Sequence, residues 1–307
     1  MDIRQLRYFV TVAEEANFTR AAARLHLAQP GVSAQVRQLE RQLGHPLLDR
    51  SGRSVTLTEV GEAVLPYARA ALAAVDAVRE TADEFTGLLR GRVGLGLVSG
   101  AAAAGSGFDA ATLLAGFHEA HPRVEIALTE DTSERMLAAL HRGELDIAVI
   151  GLADEEPPSG ISLHVVADVP LVAAVAPDDP ALTSPDRTVI ALAELRDRPL
   201  ISLPRGTGLR GVFERACAGA GFRPRIAFEA SAPPFLAQLA SRGLGVAVVP
   251  ALPADAAAAV GVRTLEITEP RLRARAAIAW RTDGPSGPAA GAFLELLRRS
   301  FPPPDRS

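Results

Sequence analysis

The sequence predicts an α/β protein in three parts: a small, mostly helical head closed by a β-hairpin, one long helix, and a larger body. Three observations predict this. The first sixty residues hold three short runs of helical apolar periodicity. Residues 59–90 carry a single apolar stripe along one helix face. From residue 91, strand-length apolar runs alternate with helical ones, the signature of layered α/β architecture. At 307 residues, 48% apolar and 22% charged, the chain is long enough for two or three globular domains.

In the first helix Leu6, Phe9, Val10 and Ala13 share a face. The second begins in NFTRAAARL, where Thr19 is the expected N-cap and Ala22 and Leu25 point inward. The third occupies AQPGVSAQVRQLERQLG, Ala28 to Gly44. Its residues Val32, Val36, Leu39 and Leu43 lie on one side, with Ala34, Arg37, Gln38 and Arg41 opposite and Ser33 on the flank. Pro30 suits the first turn because it has no N–H to leave unpaired, and Gln29 stands at the helix mouth. Only His26 to Gln29 separate the second and third helices, which is the spacing of a helix-turn-helix. A charged helix face is most often merely solvated. On the second helix of such a motif, it is the face that reads DNA.

The segment HPLLDRSGRSVTLTEVG follows, with two short strands around Arg50-Ser51-Gly52-Arg53. Beside a helix-turn-helix this hairpin forms a wing, whose arginines reach phosphates or the narrow minor groove. Thr58 is then placed to cap a long helix, with Glu59 and Glu62 favoured by the dipole of its first turn. Its stripe runs Val60, Val64, Tyr67, Ala71, Val75, Val78, Ala82, Phe85 and Leu89. That is more apolar surface than a small head can bury, so a partner helix and a homodimer are expected. Pro66 lies inside the helix and predicts a bend near Glu62.

The stretch LRYFVTVAEEANFTRAAARLHLAQPGVSAQVRQLERQLGHPLLDRSGRSVTLTEVG resembles the LysR-type transcriptional regulators, in the order helix, helix-turn-helix, wing and linker helix. Two departures are local: Ala28 where the family often has Ser, and Leu48 where Phe is common. The resemblance implies a winged helix-turn-helix DNA-binding domain (1–58), a dimerising linker helix (59–90), and an effector-binding domain (91–302). That last domain has two α/β lobes like a type 2 periplasmic binding protein, lobe one being 91–165 with 268–302 and lobe two 166–267. It further implies a homotetramer and promoter or operator DNA as partner. On DNA, Ala34, Arg37 and Gln38 are expected at base edges and Thr19, Gln29 and Ser33 at phosphates. Pro30 and Arg41 lie alongside them, and Arg50 and Arg53 are expected at the minor groove.

In the body, strands are expected at 93–98, 124–129 and 146–150, with helices near 108–121 and 133–142. PLVAAVAP, PLISLP, PRIAFEA and GVAVVP add strands, separated by helices near 207–220 and 234–243, and a last helix packs on lobe one. Such alternation implies parallel sheets. Ligands in such sheets bind beyond the carboxyl ends of strands, at helix N-termini. That singles out Ser99, Gly100, Ala101, Thr129, Ile150 and Gly151 in lobe one, and Ser202, Leu203, Arg205 and Thr207 in lobe two. Serines and threonines at such places are also ordinary caps. The small, apolar surroundings and Arg205 point to a modest organic acid as effector.

The remaining observations exclude other classes. Residues 1–58 carry eight arginines against five acids, and the rest 24 against 31, so a basic head sits on an acidic body. The six histidines form no HExxH or HxH pattern and there is no cysteine pair, so neither metal nor cofactor is expected. No G-x-S-x-G or P-loop is present, and an enzyme is not expected. The single cysteine, Cys217, sits among apolar residues as a buried thiol. No apolar run spans a membrane and no signal segment opens the chain, so a cytoplasmic protein is expected. The alternative is a small-molecule binding protein without regulatory DNA binding.

Overall fold

The structure, a computed structural model, describes residues 1–51, 54–84, 89–98, 109–154, 156–182, 184 and 186–303, without the side chains of 79–84. Helices α1 (Ile3–Glu15), α2 (Phe18–Arg24) and α3 (Gln29–Leu43) close around Phe9, Val12, Val32, Val36 and Leu39, all fully buried. A capping box starts α1: Asp2 Oδ1 accepts the Arg4 N–H at 3.1 Å and Gln5 Oε1 accepts the Asp2 N–H at 3.0 Å. The cap of α2 is Asn17, not Thr19, because its Oδ1 captures the N–H groups of Thr19 and Arg20 at 2.8 and 3.0 Å. Gly44, at φ 76°, ends α3 in the left-handed conformation that glycine adopts without strain. Leu43 is exposed, so the apolar stripe leaves the core one turn early.

Strands β1 (Leu48–Asp49) and β2 (Thr56–Leu57) pair antiparallel as the expected wing. Helix α4 (Glu59–Glu84) follows. The Thr58 hydroxyl accepts the Gly61 N–H at 3.0 Å and donates to the Pro46 carbonyl at 2.8 Å, so one side chain caps α4 and ties it to the wing. Leu65 and Ala68 complete the head core, while Tyr67 and Val78 are exposed. Leu89 does not extend this stripe; it packs against the core of the body. Phe85 lies outside the described residues.

The body begins with β3 (Gly91–Val98), α5 (Ala110–Ala120), β4 (Val124–Asp131), α6 (Ser133–His141), β5 (Ile147–Leu152) and β6 (Ile161–Val175). It continues through β7 (Val189–Ala191), β8 (Leu200–Ser202), α7 (Gly208–Gly219), β9 (Ile226–Glu229), α8 (Pro233–Ser241), β10 (Val246–Pro250), α9 (Ala254–Val260) and β11 (Arg263–Thr268). It closes with β12 (Arg273–Arg281) and α10 (Pro288–Ser300). The strands lie in the order β4-β3-β5-β12-β6-β10-β8-β9, with β11 beside β6 and β7 beside β11.

Pairing within each lobe is parallel, for β3 with β4 and β5 and for β8 with β9 and β10. The all-parallel expectation fails at the strands that join the lobes. β12 is antiparallel to β5 and β6, and β6 is antiparallel to β10 and β11. β6 is one continuous strand: residues up to Pro170 pair with β12, and those from Leu171 pair with β10 and β11. The chain therefore changes lobe at Pro170–Leu171, later than the expected 165, and returns between Thr268 and Arg273.

Lobe one buries Val93, Leu95, Leu97, Phe117, Phe293 and Leu297 under α5 and α10. Phe117 meets Phe293 edge-on at 4.8 Å between ring centroids. Its other sheet face buries Met136, Leu140, Ile150 and Ala277 under α6. Lobe two is centred on Leu171, Leu200, Phe213, Leu236 and Val248. Each such side chain contributes roughly 1.5–3 kcal/mol. Among the described residues no helix is long and apolar enough to cross a membrane.

Candidate nucleic-acid interface and effector cleft

On α3, Val32, Val36 and Leu39 anchor the helix while Gln29, Pro30, Ala34, Arg37, Gln38 and Arg41 face outward. Ser33 is only 6% exposed, because its position turns toward the packed side. Thr19 is exposed at the start of α2. A groove of about 560 Å³ runs along the outer face of α3, lined by Ala34, Arg37, Glu40, Arg41 and the loop Gly44 to Pro46. Arg24 is paired with Glu14 and Glu15 at 2.9 and 3.2 Å, and Arg20 with Glu15. Arg37 and Arg41, by contrast, make no ion pair among the described residues. Their charge is available to a polyanion.

The wing arginines divide. Arg50 is held by Glu40 at 2.6 Å and lies over the Phe18 ring at 5.3 Å, so it is not the free tip residue that its hairpin position implied. Glu40 also accepts the N–H groups of Leu47 and Leu48 at 3.0 and 3.2 Å, joining α3 to β1. Arg53 lies outside the described residues, as do Ser99, Gly100 and Ala101.

In lobe one, β4 extends to Asp131 and β5 to Leu152, past the predicted strand ends. Thr129 is therefore a mid-strand residue of the edge strand β4, opposite Gly96, and not a residue beyond its carboxyl end. Ile150 is fully buried in the core under α6, which corrects its placement as cleft lining. Gly151 is likewise inside β5, and its N–H donates to Ser133 Oγ at 3.0 Å. The helix start beyond β4 belongs to Thr132, whose hydroxyl accepts the Arg135 N–H at 3.4 Å. Sequence reasoning missed Ser133, although serine at a helix start after a strand was a readable signal.

In lobe two, Ser202 ends β8 fully buried, and among the described residues its hydroxyl has no hydrogen-bond partner. Leu203 is a core residue. Thr207 is buried and donates to the Pro204 carbonyl at 2.7 Å, bracing the turn. Arg205 is largely exposed, 3.7 Å from Glu214. The buried cation is Arg210, which the sequence reading did not single out: Nε donates to Glu214 at 2.9 Å, and Nη1 to the Leu203 carbonyl and Glu229 at 2.9 and 3.1 Å.

The lobes meet at these termini. The Glu134 N–H of α6 donates to the Gly206 carbonyl at 3.2 Å. At Gly208 a Cβ would stand 2.3 Å from the Gly151 carbonyl, a distance only glycine permits. Arg215 reaches across to the Ala153 carbonyl and to Asp154. Cys217 is buried in lobe two, and burial pushes its thiol up to about 12, so it carries no reactive thiolate at neutral pH. Among the described residues no cluster of histidine, cysteine and carboxylates is placed to hold a metal.

Comparison with known proteins agrees with this architecture. Residues 3–62 match the bacterial regulatory helix-turn-helix proteins of the lysR family, and residues 86–302 match the LysR substrate binding domain. The HTH-type transcriptional regulator IlvR of Caulobacter vibrioides is 34% identical over 99% of this chain and 100% of its own length. The RuBisCO operon transcriptional regulator of Allochromatium vinosum is 30% identical over 97% of this chain and 95% of its own. Among solved structures, full-length OxyR from Pseudomonas aeruginosa superposes with a TM-score of 0.71 at 26% identity, covering 98% of this chain and 94% of that one. Full-length CbnR complexed with its target DNA gives 0.58 at 27% identity, covering 98% and 100%. The chain belongs to the LysR family of helix-turn-helix transcriptional regulators.

Proposed function

We propose that the protein binds operator DNA sequence-specifically through the outer face of α3, and that a small effector held between the two lobes modulates this. The observation that carries the reading is that Arg37 and Arg41, exposed on the second helix of a helix-turn-helix, make no ion pair among the described residues. Arginine at a base edge gives a bidentate pattern that distinguishes guanine, while the flanking positions meet phosphates without reading sequence. The similarity to CbnR, solved on its target DNA, supports the same use of the head here.

The exposed Tyr67 and Val78 on α4 support a homodimer through this helix, and two dimers would form the homotetramer. Heads paired in this way would engage half-sites about one DNA turn apart or a multiple of it. The Ser202 hydroxyl, which has no hydrogen-bond partner among the described residues, is the effector contact we favour. One relative is named a probable hydrogen peroxide-inducible genes activator. An intramolecular disulfide switch does not transfer to a chain whose one cysteine is buried with a raised pKa. The protein acts by binding and not by catalysis, and operates in the cytoplasm.

Mapping the DNA bound by the full-length protein across its genome tests this reading. Enrichment at promoter-proximal sites sharing one motif supports it. Uniform, motif-free binding, or none, contradicts it.

A further inference from the structure

We propose that Arg69 of α4 is a clamp through which lobe one sets the position of the DNA-reading head, with α6 as the strut that links the clamp to the lobe junction. This rests on the reading above that the lobes modulate the head, and it names the contacts that carry the change. The strut is fixed at both ends. At its start the Glu134 N–H donates to the Gly206 carbonyl of lobe two at 3.2 Å, and Ser133 Oγ accepts the Gly151 N–H at 3.0 Å. Nine helical residues, about 13 Å of rise, lead from there to His141. The Gly143 and Glu144 N–H groups then donate to the Leu140 and Ala139 carbonyls at 3.0 and 2.9 Å, so the loop after α6 rides on the helix. Arg281 of β12 donates to the Leu140 and Leu145 carbonyls at 3.1 and 3.0 Å, so loop, helix and crossing strand move as one unit.

That loop meets the head at Arg69, whose side chain is only 13% exposed. Nη1 donates to Glu144 of the loop at 2.5 Å, and Nη2 to Glu14 of α1 at 3.5 Å. Each carboxylate has a second arginine: Arg142 grips Glu144 at 2.8 and 3.0 Å, and Arg24 of α2 donates to Glu14 at 2.9 Å. Alternating charges thereby connect lobe one, the linker helix and the first helix of the helix-turn-helix. A Cβ at Gly143 would stand 3.9 Å from Arg69 Cβ, so the loop also touches the stem of the arginine. Displacement of lobe one at the junction then pulls on Glu144, and through Arg69 on α4 and α1. Solvated ion pairs are too weak to hold a fold together. Contacts lying between two sites nonetheless alter their coupling by up to about thirtyfold. Because α4 also lies against α10, loss of the clamp loosens the joint without detaching the head.

The test is a mutant cycle on the full-length protein, with a site selected from random DNA as probe and no effector added. Gly208→Ala perturbs the lobe junction, where its methyl would meet the Gly151 carbonyl, and Arg69→Gln cuts the clamp. With Arg69 in place, Gly208→Ala is expected to change affinity for the selected site by about three- to thirtyfold. In the Arg69→Gln background the change should shrink to less than about twofold. Arg69→Lys keeps the charge but not the planar fork, and should transmit less than Arg69 does. Arg215→Ala, which removes the ties to Asp154 and the Ala153 carbonyl, replaces Gly208→Ala in the cycle if that variant folds poorly. Hydrogen exchange of α1 and α4 in the same four proteins reads the coupling without DNA.

Exchange in α1 that responds to the junction variant only when Arg69 is present supports the clamp. If it does so in a protein that binds no DNA, the clamp stands and the operator reading fails. An equal effect of the junction variant in both backgrounds, on affinity and on exchange, would overturn the clamp. So would the absence of any effect in either background while the wild type binds its selected site.

Discussion

At the scale of the residue, Arg37 and Ser33 sit four positions apart on the same helix with opposite fates. Arg37→Ala should relax base preference, with a loss of about 1–3 kcal/mol on the preferred site and little on random DNA. Ser33 is buried, so Ser33→Ala should leave the salt dependence of binding unchanged. A reduced salt slope in a filter-binding titration would return Ser33 to the phosphate contacts. Glu40 joins Arg50 to two backbone N–H groups of the wing. Glu40→Ala should therefore cost the head about 1–3 kcal/mol, read by chemical denaturation. The outward residues of α3 were legible because a helical repeat alone sorts inside from outside. The ties of Arg50 to Glu40 and of Arg210 to Leu203 and Glu229 were not, since those partners lie on other elements and no local pattern announces them.

At the scale of the element, the linker helix and the lobe junction make separate predictions. Val75→Asp with Val78→Asp places two charges on the apolar stripe of α4, where Val75 is half-buried and Val78 exposed, and should convert the oligomer to monomers in sedimentation velocity. Unchanged sedimentation would remove α4 from the interface. Gly208→Ala forces a methyl group against the Gly151 carbonyl, so the lobes must separate or strain. A loss of roughly 1–3 kcal/mol in thermal unfolding is expected; wild-type stability would show that the lobes do not meet there. The helices and the strands bounded by glycine and proline were legible from periodicity. The antiparallel crossing strands were not: β6 reads as an ordinary apolar run, and only long-range pairing with β12, β10 and β11 reveals that it serves both lobes.

At the scale of the whole molecule, head and body are joined by a small ion-pair network. Arg69 of α4 meets Glu144 of lobe one at 2.5 Å and Glu14 of α1 at 3.5 Å, and Arg142 holds Glu144 through two bonds at 2.8 and 3.0 Å. Burial pushes the Glu144 carboxyl up, but Arg142 and Arg69 together hold it below the usual carboxylate range. A depressed carboxylate stabilises the fold above its unfolded pKa and loses that contribution as pH falls through its folded one. The joint should therefore be intact at neutral pH and weaken in acid, and Glu144→Gln should flatten that part of the stability profile. An unchanged profile would show that Glu144 adds nothing to the joint. The three-part organisation was legible because each part has its own periodicity, whereas the joint between them depends on side chains far apart in sequence. The central claim, that the outer face of α3 reads operator sequence, is tested most directly by fluorescence anisotropy. Wild type and Arg37→Ala are titrated against a site selected from random DNA and its scrambled counterpart. The wild type should prefer the selected site by about a thousandfold or more, and Arg37→Ala should lose at least roughly tenfold of that preference while binding scrambled DNA almost as before. Equal wild-type affinity for both DNAs, or the same loss on both in Arg37→Ala, would contradict the account.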